Sequence, residues 1–185
     1  MNSIVPGSLA AIAQANHASL AESFLSAEVL LLVDMSGSMC AGDAPGNRTR
    51  YDAAEEELRE LQAAHPGKVA VVAFSDSAQF CPGGVPPRLG GMTDMARALE
   101  FVQPSDGVAR IVLISDGYPD EPTHTLEVAR RFKHKIDTVY IGPEKDARGR
   151  QFLRDLAAAT GGSSLASAAP AMLGAPVTAL LEAAA

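Results

Sequence analysis

The chain has 185 residues, 47% of them hydrophobic and 20% charged, with a formal net charge of -7 and a pI near 5.0. One domain with a real hydrophobic core fits that length and balance. The acidity, the 5% aromatic content and the absence of Trp exclude a basic, base-stacking nucleic-acid groove.

No segment reaches the roughly 18 continuous apolar residues of a membrane span. The amino terminus has no basic stretch leading into an apolar core, so no secretory signal is expected and the expected location is the cytoplasm. Cys40 and Cys81 are then expected as free thiols. A bridge between them is the alternative, because Cys40 adjoins the motif described below.

Ser8 to Phe24 carries Leu9, Ile12, Ala13, Leu20 and Phe24 at helical spacing, interrupted on that face by Asn16. Residues 1–25 are therefore read as a helical extension lying against a domain of residues 26–185. Glu28 to Asp34 is a short apolar run of the kind that forms a central parallel strand buried on both faces. Cys40 to Thr49 reads as a loop. Arg50 to Ala64 reads as a helix with Tyr51, Ala54, Leu58 and Leu61 on one side, ended by Pro66-Gly67.

Lys68 to Phe74 is a second buried strand, and Ala78 to Cys81 a short edge strand. Pro82 to Gly91 is too rich in Pro and Gly for regular structure. Thr93 to Val102 returns to helix, Ala109 to Ser115 to strand, and Thr123 to His134 to amphipathic helix. Ile136 to Ile141 is a further strand and Ala147 to Ala159 a helix closed by Gly161-Gly162. Ser163 to Ala166 is a final strand and Pro170 to Ala184 a C-terminal helix belonging to the domain. Strands alternating with helices predict an α/β fold: a doubly wound, mostly parallel central sheet with one short antiparallel edge strand and helices on both faces.

The densest chemistry lies in Asp34-Met35-Ser36-Gly37-Ser38, at the end of the first apolar run. In extended backbone, residues two apart point the same way, so one carboxylate and two hydroxyls converge. Gly37 permits a tight turn between them. Such an oxygen set suits a hard divalent cation, magnesium first, with manganese or calcium served by the same donors. No Gly-x-x-x-x-Gly-Lys-Ser/Thr phosphate loop accompanies it.

From Glu28 to about Ala166 the chain resembles a von Willebrand factor type A domain, in particular the small stand-alone bacterial type. The resemblance rests on the parts of that family's metal-ion-dependent adhesion site, met in the family's order: Asp34, Ser36 and Ser38, then Thr93 in Gly90-Gly-Met-Thr-Asp94, then Asp116 in Ile114-Ser-Asp-Gly117. Val72 to Ala78 and Ala158 to Gly162 agree with it. Pro82 to Gly91 is shorter than the segment the family usually carries between the edge strand and the threonine.

The resemblance implies a Rossmann-like sheet with Asp34 and Asp116 at the ends of strands flanking the point where connections reverse, where ligands gather. It implies that Ser36 and Ser38 ligate the metal directly, Thr93 directly or through water, and the aspartates often through water. The ion then accepts an Asp or Glu carboxylate from a partner protein, and AAA+ ATPases or multiprotein complexes are the kinds of partner implied. The expected role is a non-enzymatic, metal-dependent protein-binding module.

Other readings stay open. Asp34 and Asp116 could be caps, and Ser36 and Ser38 turn residues, of an unrelated α/β protein. The site could keep its residues and barely bind metal. A magnesium-dependent phosphoryl-transfer enzyme or hydrolase using Asp34 is a second function, set back by the lack of a lysine or second carboxylate in the motif loops. An assembly subunit binding through its terminal helices is a third.

Among neighbouring residues, Asp43, Asp76, Asp94 and Asp120 are expected near the same surface. Asp76 and Asp94 read as turn or cap residues, and Asp120 with Glu121 as the opening of the next helix. Met35 and Met39 read mainly as packing residues. Arg48 and Arg50 read as surface charge or as steering charge for an acidic ligand. Arg130 to Lys135 reads as a solvated helix end, with an acidic docking partner as the alternative. His17, His65, His124 and His134 are scattered without zinc spacing.

Overall fold

Runs of about six apolar residues are too short to be stable helices and leave no polar face, so they pair as strands buried on both sides. The computed structural model, which describes residues 4–43, 47–143, 145–166 and Thr178, places them as expected. In chain order the elements are α1 (Leu9–Asn16), α2 (Leu20–Leu25), β1 (Val29–Asp34), α3 (Arg50–Ala64), β2 (Val69–Phe74) and β3 (Ala78–Phe80). They continue with α4 (Met95–Val102), β4 (Arg110–Ser115), α5 (Pro122–Ala129), β5 (Ile136–Tyr140), α6 (Ala147–Thr160) and β6 (Ser164–Ala166).

Among the described residues these strands form one sheet in the order β3-β2-β1-β4-β5-β6. All neighbours run parallel except β2 and β3, which are antiparallel. The chain steps from β1 to β2 on one side and from β4 to β5 on the other. The reversal therefore falls between β1 and β4, which pair from Val29–Arg110 to Val33–Ile114.

Side chains alternate across the sheet. Leu30, Leu32, Val72 and Leu113 join the layer holding α4, α5 and α6. Val29, Leu31, Val33, Val71 and Ile114 join the layer holding Tyr51, Ala54, Leu58 and Leu61 of α3. Met35 and Met39 are buried in that second layer, as packing residues. α3 begins at a reciprocal cap in which Thr49 Oγ1 accepts from the Asp52 N–H and the Asp52 carboxylate accepts from the Thr49 N–H. Gly161, with φ 74°, ends α6 in the left-handed conformation foreseen for it.

Three local readings are corrected. The segment from Ser8 to Phe24 is two helices, because His17 takes a left-handed cap (φ 53°) and Ser19 with Glu22 opens a fresh capping box. Val5, Leu9 and Ala13 are buried against the domain, whereas Leu20 is exposed. The helix expected from Thr123 to His134 starts at Pro122 and stops at Ala129. The Asp106 carboxylate accepts from the backbone N–H groups of Lys133 and His134 and holds that stretch in a turn. Arg130 thus caps the end of α5, whereas Arg131 to Lys135 form the turn that leads into β5. Finally, Asp120 does not open α5; its contacts are given below.

Pro82 to Gly91 has no helix or strand. Gln62 Nε2 donates to the Gly84 carbonyl, and the Tyr51 hydroxyl to that of Pro86. The thiols of Cys40, exposed, and Cys81, buried, are free. The helix expected from Pro170 to Ala184 lies outside the described residues, apart from Thr178. No described helix is long and apolar enough to cross a membrane.

Candidate metal-binding site

β1 delivers Asp34 to the reversal point with 0% of its surface exposed. Beyond it the backbone is extended only as far as Ser36; Gly37–Cys40 is a single 3-10 turn. Convergence of the two hydroxyls therefore comes from a turn after Ser36, where the alternation of a strand was expected. Ser36 Oγ and Ser38 Oγ lie 3.2 Å apart.

Asp34 is held from two sides. The Ser36 N–H donates to its Oδ1 at 2.9 Å, and the Ser115 hydroxyl, from the end of β4, donates to its Oδ2 at 2.7 Å. Burial, aided by the nearby charge of Asp116, pushes the Asp34 pKa up to about 6, against the pull of the bonds from Ser36 and Ser115. Ser115 in turn accepts from the Gly117 N–H at 3.0 Å, which sets the turn that carries Asp116. No residue pattern in the sequence singled Ser115 out.

Two backbone lacings bring the distant pieces together. The Gly37 N–H donates to the Gly91 carbonyl at 3.0 Å, joining the serine turn to the loop before α4. The Thr93 N–H donates to Asp120 Oδ2 at 3.0 Å while the Asp120 N–H donates to the Thr93 carbonyl at 3.1 Å. Asp120 thereby ties Thr93 to the loop that follows Asp116. Asp76 fastens the loop before α4 by accepting from the Met92 N–H at 3.0 Å, and Asp94 caps α4 by accepting from the Arg97 N–H at 2.9 Å. Asp34, Ser36, Thr93 and Asp116 are buried, and Ser38 is exposed.

Arg50 departs most from its sequence reading. It is only 6% exposed. Its Nε and Nη2 grip the two oxygens of Asp43 at 2.8 and 2.6 Å, and its Nη1 donates to Asp116 Oδ2 at 3.1 Å. The bonds from Arg50 hold the Asp43 carboxyl below its ordinary pKa, and Asp43 raises that of the guanidinium. One signal was available in the sequence: Arg50 opens α3, where the helix dipole disfavours a cation, so a carboxylate partner was to be expected. Arg48 pairs instead with Glu56.

The residues present fit a hard divalent ion. Among the described residues, Asp116 Oδ1 is buried and has no hydrogen-bond partner, a costly state for a carboxylate oxygen that a cation would relieve. Adjacent ligands of a magnesium octahedron, with bonds of about 2.1 Å, lie about 3 Å apart, close to the separation of the serine oxygens. Among the described residues, no group of three His, Cys, Asp or Glu side chains could hold a metal. An ion held at this edge would therefore depend on hydroxyls, as magnesium tolerates and zinc does not.

Neither a protein-family model nor a curated protein matches the sequence. Solved structures do match. An aerotolerance-related membrane protein from Bacteroides fragilis superposes with a TM-score of 0.66 at 15% identity, over 85% of this chain and 99% of that one. A von Willebrand factor type A protein from Catenulispora acidiphila gives 0.62 at 19% identity, over 84% of this chain and 42% of that one.

The fold is that of a von Willebrand factor type A domain. The manganese-loaded TRAP protein of Plasmodium vivax shares it, with a TM-score of 0.53 at 20% identity over 73% of this chain and 63% of that one. The α/β architecture expected from the strand and helix order is thus the observed one. Within this VWA fold, Asp34 and Asp116 stand at the carboxyl ends of β1 and β4, the two strands that flank the reversal.

Proposed function

We propose that this protein is a non-enzymatic binding module in which a divalent ion, magnesium first and manganese or calcium by the same chemistry, accepts an Asp or Glu carboxylate from a partner protein. Ser36, Ser38 and Asp116 would hold the ion, Thr93 would complete the set directly or through water, and Asp34 would act through the groups it orients. The observation that carries this reading is the unpartnered Oδ1 of Asp116 at the edge that also holds the paired serine hydroxyls. When bound, the ion supplies an electrophile with a position open to an outside oxygen. The manganese in the Plasmodium protein of the same fold supports the choice of ion class. Partners such as AAA+ ATPases or components of multiprotein complexes follow from the resemblance; the site's own chemistry specifies only the carboxylate.

The same geometry weighs against an enzyme built on Asp34. A nucleophilic carboxylate needs an accessible oxygen, whereas both Asp34 oxygens accept hydrogen bonds and the residue is fully enclosed. Peptide display panned in magnesium tests the binding reading. Selected peptides are expected to carry Asp or Glu, to release in EDTA and to lose binding to Ser36→Ala, whose metal affinity falls by at least about tenfold. Equal peptide binding with and without EDTA overturns it.

A second reading, assembly through the extension, has an observation of its own. Leu25 of α2 is 68% exposed and Phe101 of α4 is 47% exposed. With Leu20, Phe24, Val72 and Phe80 they line an apolar groove of about 540 Å³. Under this reading, a Leu25→Ser, Phe101→Ser double variant loses partner binding in a pull-down while its magnesium response is unchanged. Under the metal reading it keeps partner binding and Ser36→Ala loses it.

A further inference from the structure

We propose that Arg50 is a built-in cation of the metal site, sharing Asp116 with the divalent ion and holding that ion's affinity down. The inference rests on the metal-binding reading above and concerns how the site is regulated. Arg50 spans two carboxylates of different kind. Asp43 has 45% of its side chain exposed and grips the guanidinium fork at both oxygens, whereas Asp116 is 4% exposed in its side chain and receives a single N–H. Asp116 therefore stands with Oδ2 on a fixed cation and Oδ1 without a partner among the described residues. Asp34, the other acid of the site, has both oxygens engaged by Ser36 and Ser115.

A divalent ion reaching Oδ1 meets a carboxylate whose charge is already shared, with a second positive charge on its far oxygen. Like charges repel strongly in so enclosed a place. The ion is then held loosely and keeps its electron deficiency, which favours an added carboxylate from outside. Asp43 tempers the effect by pairing with the guanidinium from its solvent side. The arrangement makes Asp43 and Arg50 a pair with opposite influence on the same ion.

That opposition separates this role from simple scaffolding. Arg50→Met keeps the aliphatic stem and removes the charge, leaving Asp116 buried without a counter-ion. Its metal-free form is expected to melt lower than wild type, and its magnesium or manganese affinity, measured by calorimetry, to rise about tenfold. Asp43→Asn leaves the guanidinium uncompensated beside Asp116, and metal affinity is expected to fall severalfold. Because a scaffold also loses affinity in Asp43→Asn, Arg50→Gln, which removes the charge and keeps an N–H donor for Asp116, replaces Arg50→Met if that variant does not fold, and its metal affinity is likewise expected to rise. A scaffold that merely holds Asp116 in place would lose affinity in both variants, and that result overturns the proposal. Wild-type protein that responds to neither magnesium nor manganese overturns the metal-site reading itself, a distinct failure visible before any variant is made.

Discussion

In the absence of metal, wild-type protein loses up to about 3 kcal/mol of stability relative to Asp34→Asn as pH rises through the interval from about 4 to about 6. Asp34 is fully enclosed, and burial, its largest influence, raises its pKa from 3.8 to about 6. The direction follows from the proton. The folded chain holds it more tightly than the unfolded chain, so the stabilisation by the neutral carboxyl is complete below the unfolded pKa. It is lost as pH climbs to the folded one, and above that the cost is constant.

Asparagine carries no charge and feels none of this. Its carbonyl can still accept from the Ser36 N–H, and its amide can donate to Ser115 once that hydroxyl turns, so its other effects are a pH-independent offset. Carboxyls held low, such as Asp43 and Asp146, titrate alike in both proteins and cancel in the difference. Urea midpoints in EDTA across this pH range measure it. Saturating magnesium is expected to shift the difference at pH 7 in favour of wild type, because the ion favours the ionised acid and stabilises wild type by mass action. Parallel pH curves for the two metal-free proteins would show that the assigned burial cost is wrong.

Gly117→Ala is expected to destabilise the domain by about 3 kcal/mol or more and to lower its Tm by roughly 6–12 °C. Gly117 has φ 80°, where an L side chain costs about 1–2 kcal/mol. An added Cβ would also stand 2.1 Å from the Gly149 carbonyl oxygen, and a Cβ on Gly149 would stand 2.1 Å from that of Asp116. These are backbone atoms, so no rotamer change relieves them. The two glycines let the first turn of α6 lie directly against the backbone that carries Asp116. Relief of either clash must shift Asp116, so metal affinity should fall together with stability. Gly42→Ala is the matched control, since nothing among the described residues lies within 4 Å of its added Cβ and its φ is not positive; its Tm should stay within about 2 °C of wild type.

Much of the architecture was legible in the chain because it is governed by local pattern. The runs at Val29–Asp34, Val69–Phe74 and Arg110–Ser115 are short, apolar and bounded by turns, and such segments have few ways to hide both faces other than in the middle of a sheet. Asp34 and Asp116 were legible for the same reason, each standing where an apolar run stops. Misread boundaries trace to specific polar contacts. His17 and the Ser19–Glu22 box split a stripe that periodicity alone joined, and Asp106, far away in sequence, cut α5 short.

By itself, then, the sequence determined the order of the strands and of most helices, and the three segments that carry the oxygens. Only the tertiary structure decided how those oxygens are used. Arg50 meets Asp116 across 66 residues and Ser115 meets Asp34 across 81. Bonds of that reach depend on which strands become neighbours and leave no trace in hydrophobic spacing. Whether a polar side chain serves as surface charge, cap or counter-ion depends on what the fold places opposite it and on how much water remains there. Burial and partnership are properties of the folded neighbourhood, and for Arg50 they turned an expected surface arginine into part of the site.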